Sequence, residues 1–274
     1  SDLVDLVQAE HLMKSLAIDS VRFLYFNSPC NPTGEVASRD YLQKLVDFAR
    51  RYNILLVHDM DSWYTTHKDG IKLENILQLP GARETAITIL SLSKEFGLPG
   101  LRIGLVAGNE YAIDVIREHN SVFCVMIPEV CQYAAKAALD FFTPDDKRDD
   151  INRNITAILR RSVEGWKSLG WPEAAIKFPT AGYKYLVEVP PNIEGQEGVP
   201  AGVLLDYFVA KSAFVKLSNS RSFNPTNDRL IRMIVMQDMN SIDEAFRRLR
   251  NIGVNYDMRL PRSIGQEYQA FIKA

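Results

Sequence analysis

Cysteine and histidine are both scarce in this 274-residue sequence, which has three of the first and four of the second. Cys30, Cys124 and Cys131 have neither the spacing of a metal site nor that of a disulfide framework, and their number is odd. An odd, scattered set of cysteines is typical of proteins from a reducing compartment. The sequence therefore predicts a cytoplasmic protein without a metal site.

The sequence also lacks an excess of charge of either sign and a long apolar run. Its 32 basic and 34 acidic residues leave a net charge of −2, with no basic tract and no acidic tail. This balance argues against nucleic acid or an anionic membrane as the main partner. No stretch reaches the roughly 18 to 20 apolar residues that span a bilayer, and the acidic start is unlike a secretory signal. A globular protein that binds small molecules is the class that remains.

The first half of the chain alternates strand-like and helix-like segments. Apolar runs without polar alternation occupy residues 21–27, 54–57, 85–92 and 102–108. Between the first two runs, Ser38 precedes a stretch with helical spacing of apolar residues, which is the arrangement of a capped helix. Continuous apolar strands separated by helices are typical of a parallel sheet covered on both faces. We predict an α/β large domain built on a mainly parallel sheet.

The second half of the chain has a different pattern. A charge-rich segment after Pro144 opens a long helix. Beyond it the strand-like segments are spaced, at residues 183–189, 213–218 and 230–236. Strands and helices in separate runs favour a smaller α+β domain. We therefore predict a large domain over residues 1–143 and a small C-terminal domain over residues 144–274.

Polar residues close three of the predicted strands in the first half. Asn31 lies in the turn-rich run after the first strand, Asp59 follows the second, and Lys94 follows the third. Ligands of open parallel sheets bind at the carboxyl ends of the strands, so we expect these residues to line one crevice. A lysine directly after an apolar strand is also unusual, because lysine is rarely buried without a partner. His58, one residue before Asp59, should point to the opposite face as a core histidine.

Three motifs stand in order in this half of the chain. They are SPCNPTG over residues 28–34, the aspartate 25 residues after Gly34, and SLSKEFGLPGLRIG over residues 91–104. In this order and separation they resemble the fold-type I, class I and II aminotransferases, nearest to the alanine and LL-diaminopimelate branch. The resemblance extends over all 274 residues and is strongest from Val21 to Gly108. It implies a pyridoxal 5′-phosphate cofactor, amino-group transfer between an amino acid and a 2-oxo acid, and a homodimer.

The resemblance implies roles for the three strand-end residues. Lys94 would bind the cofactor covalently through its amine and, once a substrate has displaced it, carry the proton to and from Cα. Asp59 would keep the pyridine nitrogen protonated, which makes the ring a better electron sink. Asn31 would donate a hydrogen bond to the 3′ oxygen of the cofactor. The structural alternatives are a surface lysine, a helix-capping aspartate and a turn asparagine.

The resemblance also implies a phosphate site and a carboxylate site. Ser91, Ser93 and Arg102 would bind the phosphate, since guanidinium and hydroxyl groups are good donors to its oxygens. Arg232, a charge inside an otherwise apolar run, would hold the substrate α-carboxylate through two parallel hydrogen bonds. Arg221, in the preceding polar loop, is the rival for that role, and a structural ion pair is the other alternative for Arg232.

One position departs from the family pattern. The family has a tyrosine three residues after the strand-end aspartate, bonded to the same 3′ oxygen as the asparagine, whereas this sequence has Ser62. Tyr64 would either take that place, as a further cofactor-binding residue, or be an ordinary loop aromatic. A lost phenol contact would change the electronics of the ring. The departure therefore keeps open another pyridoxal-phosphate reaction, that of a β-lyase, a cyclising synthase or an oxidase.

A second departure concerns the start of the chain. Relatives carry, before the position of Val21, further strands of the large sheet, part of the phosphate site and an aromatic residue stacked on the pyridine ring. We expect this chain to be the C-terminal part of such an enzyme, and residues 1–274 alone to be a poor catalyst. A truncated, inactive protein is the alternative. A cofactor-sensing regulator would need a DNA-binding segment, which nothing in these residues supplies.

Overall fold

The computed structural model describes residues 3–15, 21–68, 70–142, 145–219, 223 and 227–273. The α-helices are Leu6–Ser15 (α1), Arg39–Tyr52 (α2), Ala82–Thr85 (α3), Glu110–Phe123 (α4), Glu129–Phe142 (α5), Asp145–Ser168 (α6), Ala201–Ala213 (α7), Met239–Asn251 (α8) and Ile264–Lys273 (α9). The strands are Phe23–Asn27 (β1), Leu55–Met60 (β2), Ala86–Ser91 (β3), Gly104–Gly108 (β4), Ile176–Lys177 (β5), Lys184–Glu188 (β6), Ser218–Asn219 (β7) and Leu230–Ile234 (β8). Short 3₁₀ turns occupy Ile76–Gln78, Pro99–Leu101 and Glu173–Ala175.

The chain divides into two compact units. The first contains Ser1–Asn152 and Thr180–Gly182, and the second contains Arg153–Pro179 and Tyr183–Ala274. The predicted domain boundary between residues 143 and 144 lies outside the described residues. Among the described helices, none has both the length and the apolar character that crossing a membrane requires.

The sheet of the first unit has the strand order β1-β2-β3-β4. β1 and β2 run parallel with Asn27 opposite Asp59, and β2 and β3 run parallel with Asp59 opposite Ile89. The prediction of a mainly parallel sheet within an α/β fold is thus confirmed. Because the three strands run in the same direction, their carboxyl ends form one edge of the sheet.

β4 is the strand of this sheet that departs from the parallel arrangement. It pairs antiparallel with β3, with Gly104 opposite Ser91. The connection between them contains only the short turn Pro99–Leu101 and no helix that could carry the chain back across a face of the sheet, as a parallel return requires. β4 also differs from a fully buried strand, since Leu105 and Val106 are 41% and 40% exposed.

The core of the first unit lies between α2 and the parallel strands. α2 begins at the predicted cap, where the Ser38 side chain accepts a hydrogen bond from the Tyr41 amide, and ends at Asn53 in a left-handed conformation. Its apolar face is buried with residues from β1, β2 and the segment before β3. The fully buried members of this cluster include Leu42, Leu45, Val46, Ala49, Leu56, Ile76 and Ala86. The helical spacing of its apolar residues therefore gives α2 one apolar face, which packs against the sheet.

The second unit is built on an antiparallel sheet with the order β5-β6-β8-β7. Its core surrounds Trp166 and Tyr185, both fully buried. The predicted small α+β arrangement is confirmed, but the predicted strand over residues 213–218 is mostly wrong. α7 continues through Ala213 and stops where Phe214 takes a left-handed conformation, so only Ser218–Asn219 pair with β8.

Candidate active site

The carboxyl edge of the parallel strands collects most of the predicted site residues. Asp59 lies in β2 opposite the last residue of β1, and Asn31 is in the turn that follows β1. Lys94 comes three residues after Ser91, the last residue of β3. Because β4 is antiparallel, its first residue returns to this edge, and Arg102 lies two positions before it. The structure therefore brings these four residues to one edge, as the strand-end rule predicts.

Asp59 is held by a network that includes its own main chain. Its carboxylate accepts hydrogen bonds from the Tyr25 hydroxyl and, at 3.0 Å, from the Asp61 amide. Its carbonyl oxygen accepts from the Asn27 side chain at 2.9 Å and from the Ser28 amide at 3.0 Å. Loss of hydration, together with the hydrogen bond to Asp59, raises the pKa of Tyr25, which keeps its hydroxyl a donor. The Asp59 side chain thus has a defined position at the strand end.

The turn after β1 presents Asn31 on its outside. Cys30 makes two backbone hydrogen bonds across the turn, donating to the Glu35 oxygen at 2.8 Å and accepting from the Gly34 amide at 2.7 Å. Gly34 has a φ of 68°, which glycine adopts without strain. The Asn31 amide donates to the Asn27 side chain at 2.6 Å, and Asn31 itself is exposed. The amide of its side chain is thus accessible to a ligand at this edge.

Lys94 forms an ion pair that the sequence analysis missed. Its Nζ lies 2.5 Å from Oδ2 of Asp61, and the two side chains are 36% and 23% exposed. Asp61 follows β2 by one residue and lies in the loop, whereas Asp59 lies in the strand. One signal in the sequence pointed to Asp61, because Tyr64 follows it by three residues, the spacing that the family has after its strand-end aspartate.

Two further hydrogen bonds join the loop after β2 to the segment that carries Lys94. The Trp63 indole donates to the Ser91 carbonyl at 2.9 Å, and the Thr65 hydroxyl donates to Oε2 of Glu95 at 2.7 Å. Burial raises the pKa of Glu95 to about 7, although its hydrogen bonds from the Thr65 hydroxyl and the Tyr64 amide act in the opposite direction. The two loops are therefore tied together on either side of Lys94.

The predicted phosphate ligands lie around the end of β3. The hydroxyl of Ser91 accepts a hydrogen bond from the Ser93 amide at 3.2 Å, and Ser93 is buried. Arg102 is exposed, with a φ of 50°, and its Nη1 donates to the Pro99 carbonyl at 3.0 Å. A guanidinium has five N–H donors, so this bond leaves Arg102 able to hold an anion. The phosphate role of all three stays a prediction.

Tyr64 lies in an aromatic cluster with Trp63 and Phe96. It is buried, with its ring 5.4 Å from that of Trp63 and 5.7 Å from that of Phe96. Its hydroxyl donates to the carbonyl of Phe142, the last residue of α5, which has no partner within its own helix. Ser62 is also buried. In this arrangement Tyr64 stabilises a helix end, and its contact with a cofactor stays a prediction.

Arg232 lies in β8 of the second unit. Its Nη2 donates to the Ser218 hydroxyl at 3.1 Å, and its guanidinium lies 5.4 Å from the centre of the Phe223 ring. Its Nε is buried and has no hydrogen-bond partner among the described residues. A buried donor without a partner is costly, and a bidentate carboxylate would satisfy it. Arg221, the rival for the carboxylate, lies outside the described residues.

His58 confirms its prediction as a buried core residue. It is fully buried and stacks on Phe26 with the ring centres 4.5 Å apart. Its Nδ1 accepts from the Ile76 amide at 3.4 Å, which leaves the proton on Nε2 to be donated to the Ser28 carbonyl at 3.1 Å. Burial lowers the pKa of His58 to about 4, so it is neutral and structural.

Comparison with known sequences finds similarity along most of the chain. The family profile described as aminotransferase class I and II matches residues 3–209. An LL-diaminopimelate aminotransferase of Gloeobacter violaceus is 39% identical over 160 residues, which cover 57% of this chain and 39% of that protein. LL-diaminopimelate aminotransferase 2 of a Nostoc species is 30% identical over 236 residues, covering 86% of this chain and 57% of that protein. The chain thus spans about two-fifths to three-fifths of the length of these relatives.

Comparison with solved structures finds the same fold. Substrate-bound BacF of Bacillus subtilis superposes with a TM-score of 0.79 at 21% identity, over 93% of this chain and 61% of that one. An aspartate aminotransferase double mutant of Thermus thermophilus superposes with a TM-score of 0.75 at 17% identity, over 91% of this chain and 60% of that one. At these identities the likeness concerns the fold alone.

Proposed function

Because the chain belongs to the aminotransferase class I and II family, we propose that it is part of a pyridoxal-phosphate-dependent aminotransferase. The reaction moves an amino group from an amino acid to a 2-oxo acid. The observation that carries the proposal is the position of Lys94 three residues after the end of β3, at the sheet edge that also holds Asp59. A primary amine and a carboxylate at one strand-end edge are the two groups that this chemistry needs most from the protein.

The residues at this edge fit the chemical groups of the cofactor. Lys94 offers an amine for the aldehyde, Asp59 a carboxylate for the pyridine nitrogen, and Asn31 an exposed amide for the 3′ oxygen. Arg102 and the Ser91 hydroxyl offer donors for the phosphate. When bound, pyridoxal 5′-phosphate supplies an electron sink for the bonding pair of the substrate Cα–H bond.

Each of these side chains then has a defined task. The amine of Lys94, once free, takes the proton from Cα of the amino acid in one half-reaction. In the reverse half-reaction it returns a proton to Cα of the new amino acid. The carboxylate of Asp59 holds a proton on the ring nitrogen, and the hydrogen bonds from Tyr25 and Asp61 fix its orientation. Arg232, whose buried Nε has no hydrogen-bond partner among the described residues, holds the α-carboxylate of the substrate.

Reduction with borohydride in the presence of pyridoxal 5′-phosphate tests the central assignment. Peptide mass analysis should find a phosphopyridoxyl group on Lys94, and Lys94→Arg should abolish it. Lys136→Arg is the matched control, since Lys136 also pairs with an aspartate at 2.5 Å but on an exposed helix face. A label on another lysine in the unchanged protein would show that Lys94 is not the cofactor lysine.

The names of the relatives support a first choice of substrate to test. They are named LL-diaminopimelate aminotransferases, so LL-diaminopimelate is the first amino donor to test, with alanine next. Spectral titration of the cofactor-loaded protein with single amino acids gives the preference directly. Equal response to every donor would argue against membership of this branch.

One observation favours a second candidate function. The Tyr64 hydroxyl donates to the carbonyl of Phe142, which supports a site in which this residue does not make the phenol contact of the family. This arrangement supports the alternative of a β-lyase, a cyclising synthase or an oxidase, in which the ring electronics differ. Product analysis separates the two candidates. An aminotransferase forms a 2-oxo acid and a new amino acid in equal amounts, whereas a β-lyase forms a 2-oxo acid and ammonia and no new amino acid.

Two further proposals concern assembly and location. The family resemblance supports a homodimer with the site near the subunit boundary, which sedimentation of the protein would test. The odd number of scattered cysteines supports the cytoplasm as its location. Small-molecule amino and oxo acids are then the partners of the protein, and nucleic acid and membrane are not.

A further inference from the structure

Two aspartates lie at the candidate site, and they have different partners. Asp59, in β2, accepts from the Tyr25 hydroxyl and the Asp61 amide. Asp61, in the loop after β2, has its own carboxylate 2.5 Å from the Lys94 amine. The role proposed for Asp59 therefore does not account for Asp61. Its partner is the amine that is proposed to react with the cofactor.

The surrounding contacts hold this ion pair in place. The Trp63 indole donates to the Ser91 carbonyl, and the Thr65 hydroxyl donates to the Glu95 carboxyl group. These two bonds lie on either side of Lys94 along its own segment, and both follow Asp61 along the loop after β2. The pair is also partly shielded from water, because the Asp61 side chain is only 23% exposed. The entropy cost of ordering the two side chains and the screening by solvent are therefore smaller than in a fully exposed ion pair.

We propose that Asp61 is a positioning residue for Lys94. It holds the lysine side chain at the sheet edge as an ammonium group while Lys94 carries no cofactor, and releases it when an aldehyde is captured. This inference rests on the proposed function of Lys94. An ammonium group that donates to a carboxylate has no lone pair with which to attack. The pair therefore keeps Lys94 in place and also slows its reaction with aldehydes.

Both members of the ion pair take part when Lys94 reacts with an aldehyde. The ammonium group of Lys94 transfers one proton to the carboxylate of Asp61, and the freed lone pair forms a bond to the aldehyde carbon. The aldehyde oxygen leaves as water, which takes up the second proton of the amine and the proton held by Asp61. No oxidant or further reactant is needed. Any small aldehyde that reaches Lys94 undergoes the same step, so the inference can be tested without the cofactor.

Competitive reductive methylation with formaldehyde measures this reactivity in the cofactor-free protein. The initial rate of methylation at Lys94 is measured by peptide mass spectrometry and normalised to an exposed lysine. In Asp61→Asn we expect the Lys94 rate to rise about fivefold, which is about 1 kcal/mol at 1.4 kcal/mol per tenfold. Asp61→Ala should show the same rise, and Asp61→Glu should restore a rate within about twofold of the unchanged protein, the factor corresponding to about 0.4 kcal/mol.

Lys136 and Asp140 provide a matched control. Their pair has the same 2.5 Å separation, but the side chains are 72% and 64% exposed. Because an exposed pair is weak, Asp140→Asn should change the Lys136 rate less than about twofold. An unchanged Lys94 rate in both Asp61→Asn and Asp61→Ala would overturn the inference. A phosphopyridoxyl label on another lysine would instead overturn the proposed function, so the two failures are distinguishable.

Discussion

Glu95 gives the sharpest test of the site region, because it is a buried carboxyl group next to Lys94. It is 4% exposed, and its Oε1 has no hydrogen-bond partner among the described residues. Burial raises its pKa from 4.5 to about 7 against the opposing hydrogen bonds from Thr65 and the Tyr64 amide. Replacing Glu95 by glutamine keeps the shape and an acceptor for Thr65 but removes the ionisation. We predict that Glu95→Gln stabilises the first unit at neutral and alkaline pH.

The size of this effect follows from the two pKa values. Below pH 4.5 Glu95 is protonated in the folded and the unfolded chain, so it changes nothing. As the pH rises, the unfolded chain releases the proton first, and the free energy of unfolding falls until the pH has passed about 7. The separation of the pKa values corresponds to about 3 kcal/mol. The variant should therefore match the unchanged protein near pH 4 and exceed its stability by about 3 kcal/mol near pH 8.

His58 has the opposite dependence in the same unit. Burial lowers its pKa from 6.5 to about 4, so the unfolded chain takes up a proton first as the pH falls. The free energy of unfolding is unaffected above pH 6.5 and falls, by about 3 kcal/mol, as the pH drops towards 4. In the unchanged protein the slopes from Glu95 and His58 cancel between pH 4.5 and 6.5. Each single variant, Glu95→Gln or His58→Gln, should reveal the slope of the other group, about 1.4 kcal/mol per pH unit.

Amide hydrogen exchange measures these differences within the first unit. Peptides that cover β2 and β3 are followed by mass spectrometry between pH 5 and 8. Each variant is compared with the unchanged protein at the same pH, so the intrinsic pH dependence of exchange cancels. Strand amides exchange through opening of the unit, and a difference of about 3 kcal/mol slows exchange about a hundredfold. Glu84→Gln, at a carboxylate whose side chain is 74% exposed, is the control and should leave the exchange rates unchanged.

Two results would contradict a costly ionisation of Glu95 in the folded protein. Equal protection of the strands in Glu95→Gln and the unchanged protein at pH 8 would mean that Glu95 ionises in the fold without cost. A difference of the same size at pH 5 and pH 8 would mean that glutamine alters packing, not ionisation. Either outcome would contradict the burial of this carboxyl group as the cause.

Three further predictions concern the site and the fold. Asp59→Ala should lower turnover of the loaded enzyme about a hundredfold while Lys94 is still labelled by the cofactor, because the charge at the ring nitrogen is lost and the amine of Lys94 is kept; near-normal turnover would exclude the role. Arg232→Lys keeps the charge but not the fork, so KM for the amino acid should rise about tenfold with cofactor affinity unchanged; equal losses would indicate a structural arginine. Ser38→Ala removes the cap on α2, where Ser38 accepts from the Tyr41 amide at 3.2 Å, and should lower the free energy of unfolding by about 1 kcal/mol in urea titration; an unchanged midpoint would mean that the cap contributes nothing.

The strand-end residues were among the features that sequence patterns could predict in this protein. Asp59 and Lys94 could be assigned to one edge because continuous apolar runs mark parallel strands, whose carboxyl ends meet. Ser38 marked the start of α2 because its side chain serves a local task within one turn of helix. His58 could be assigned to the core because neighbouring strand residues point to opposite faces. All three predictions depend on periodicity or on contacts close in sequence.

Other features depended on contacts between residues distant in sequence. β4 runs antiparallel to β3 because the connection between them contains no helix that could cross the sheet. An apolar run in the sequence does not reveal this direction. Tyr64 donates to the carbonyl of Phe142, 78 positions away, because α5 ends beside it. From the sequence either Asp59 or Asp61 could meet Lys94. In the structure Asp61 does, in a loop that Trp63 and Thr65 bond to the segment that carries Lys94.

The amino-acid sequence by itself therefore determined the fold class, the cap of α2 and most of the chemical groups at the sheet edge. Those properties follow from side-chain period, local capping and strand-end position, each of which a short stretch of chain specifies. Only the tertiary structure decided which carboxylate meets Lys94 and which groups lose their water. Both depend on how loops from different strands fold against each other, and the pKa of Glu95 rises only because that packing removes solvent from it.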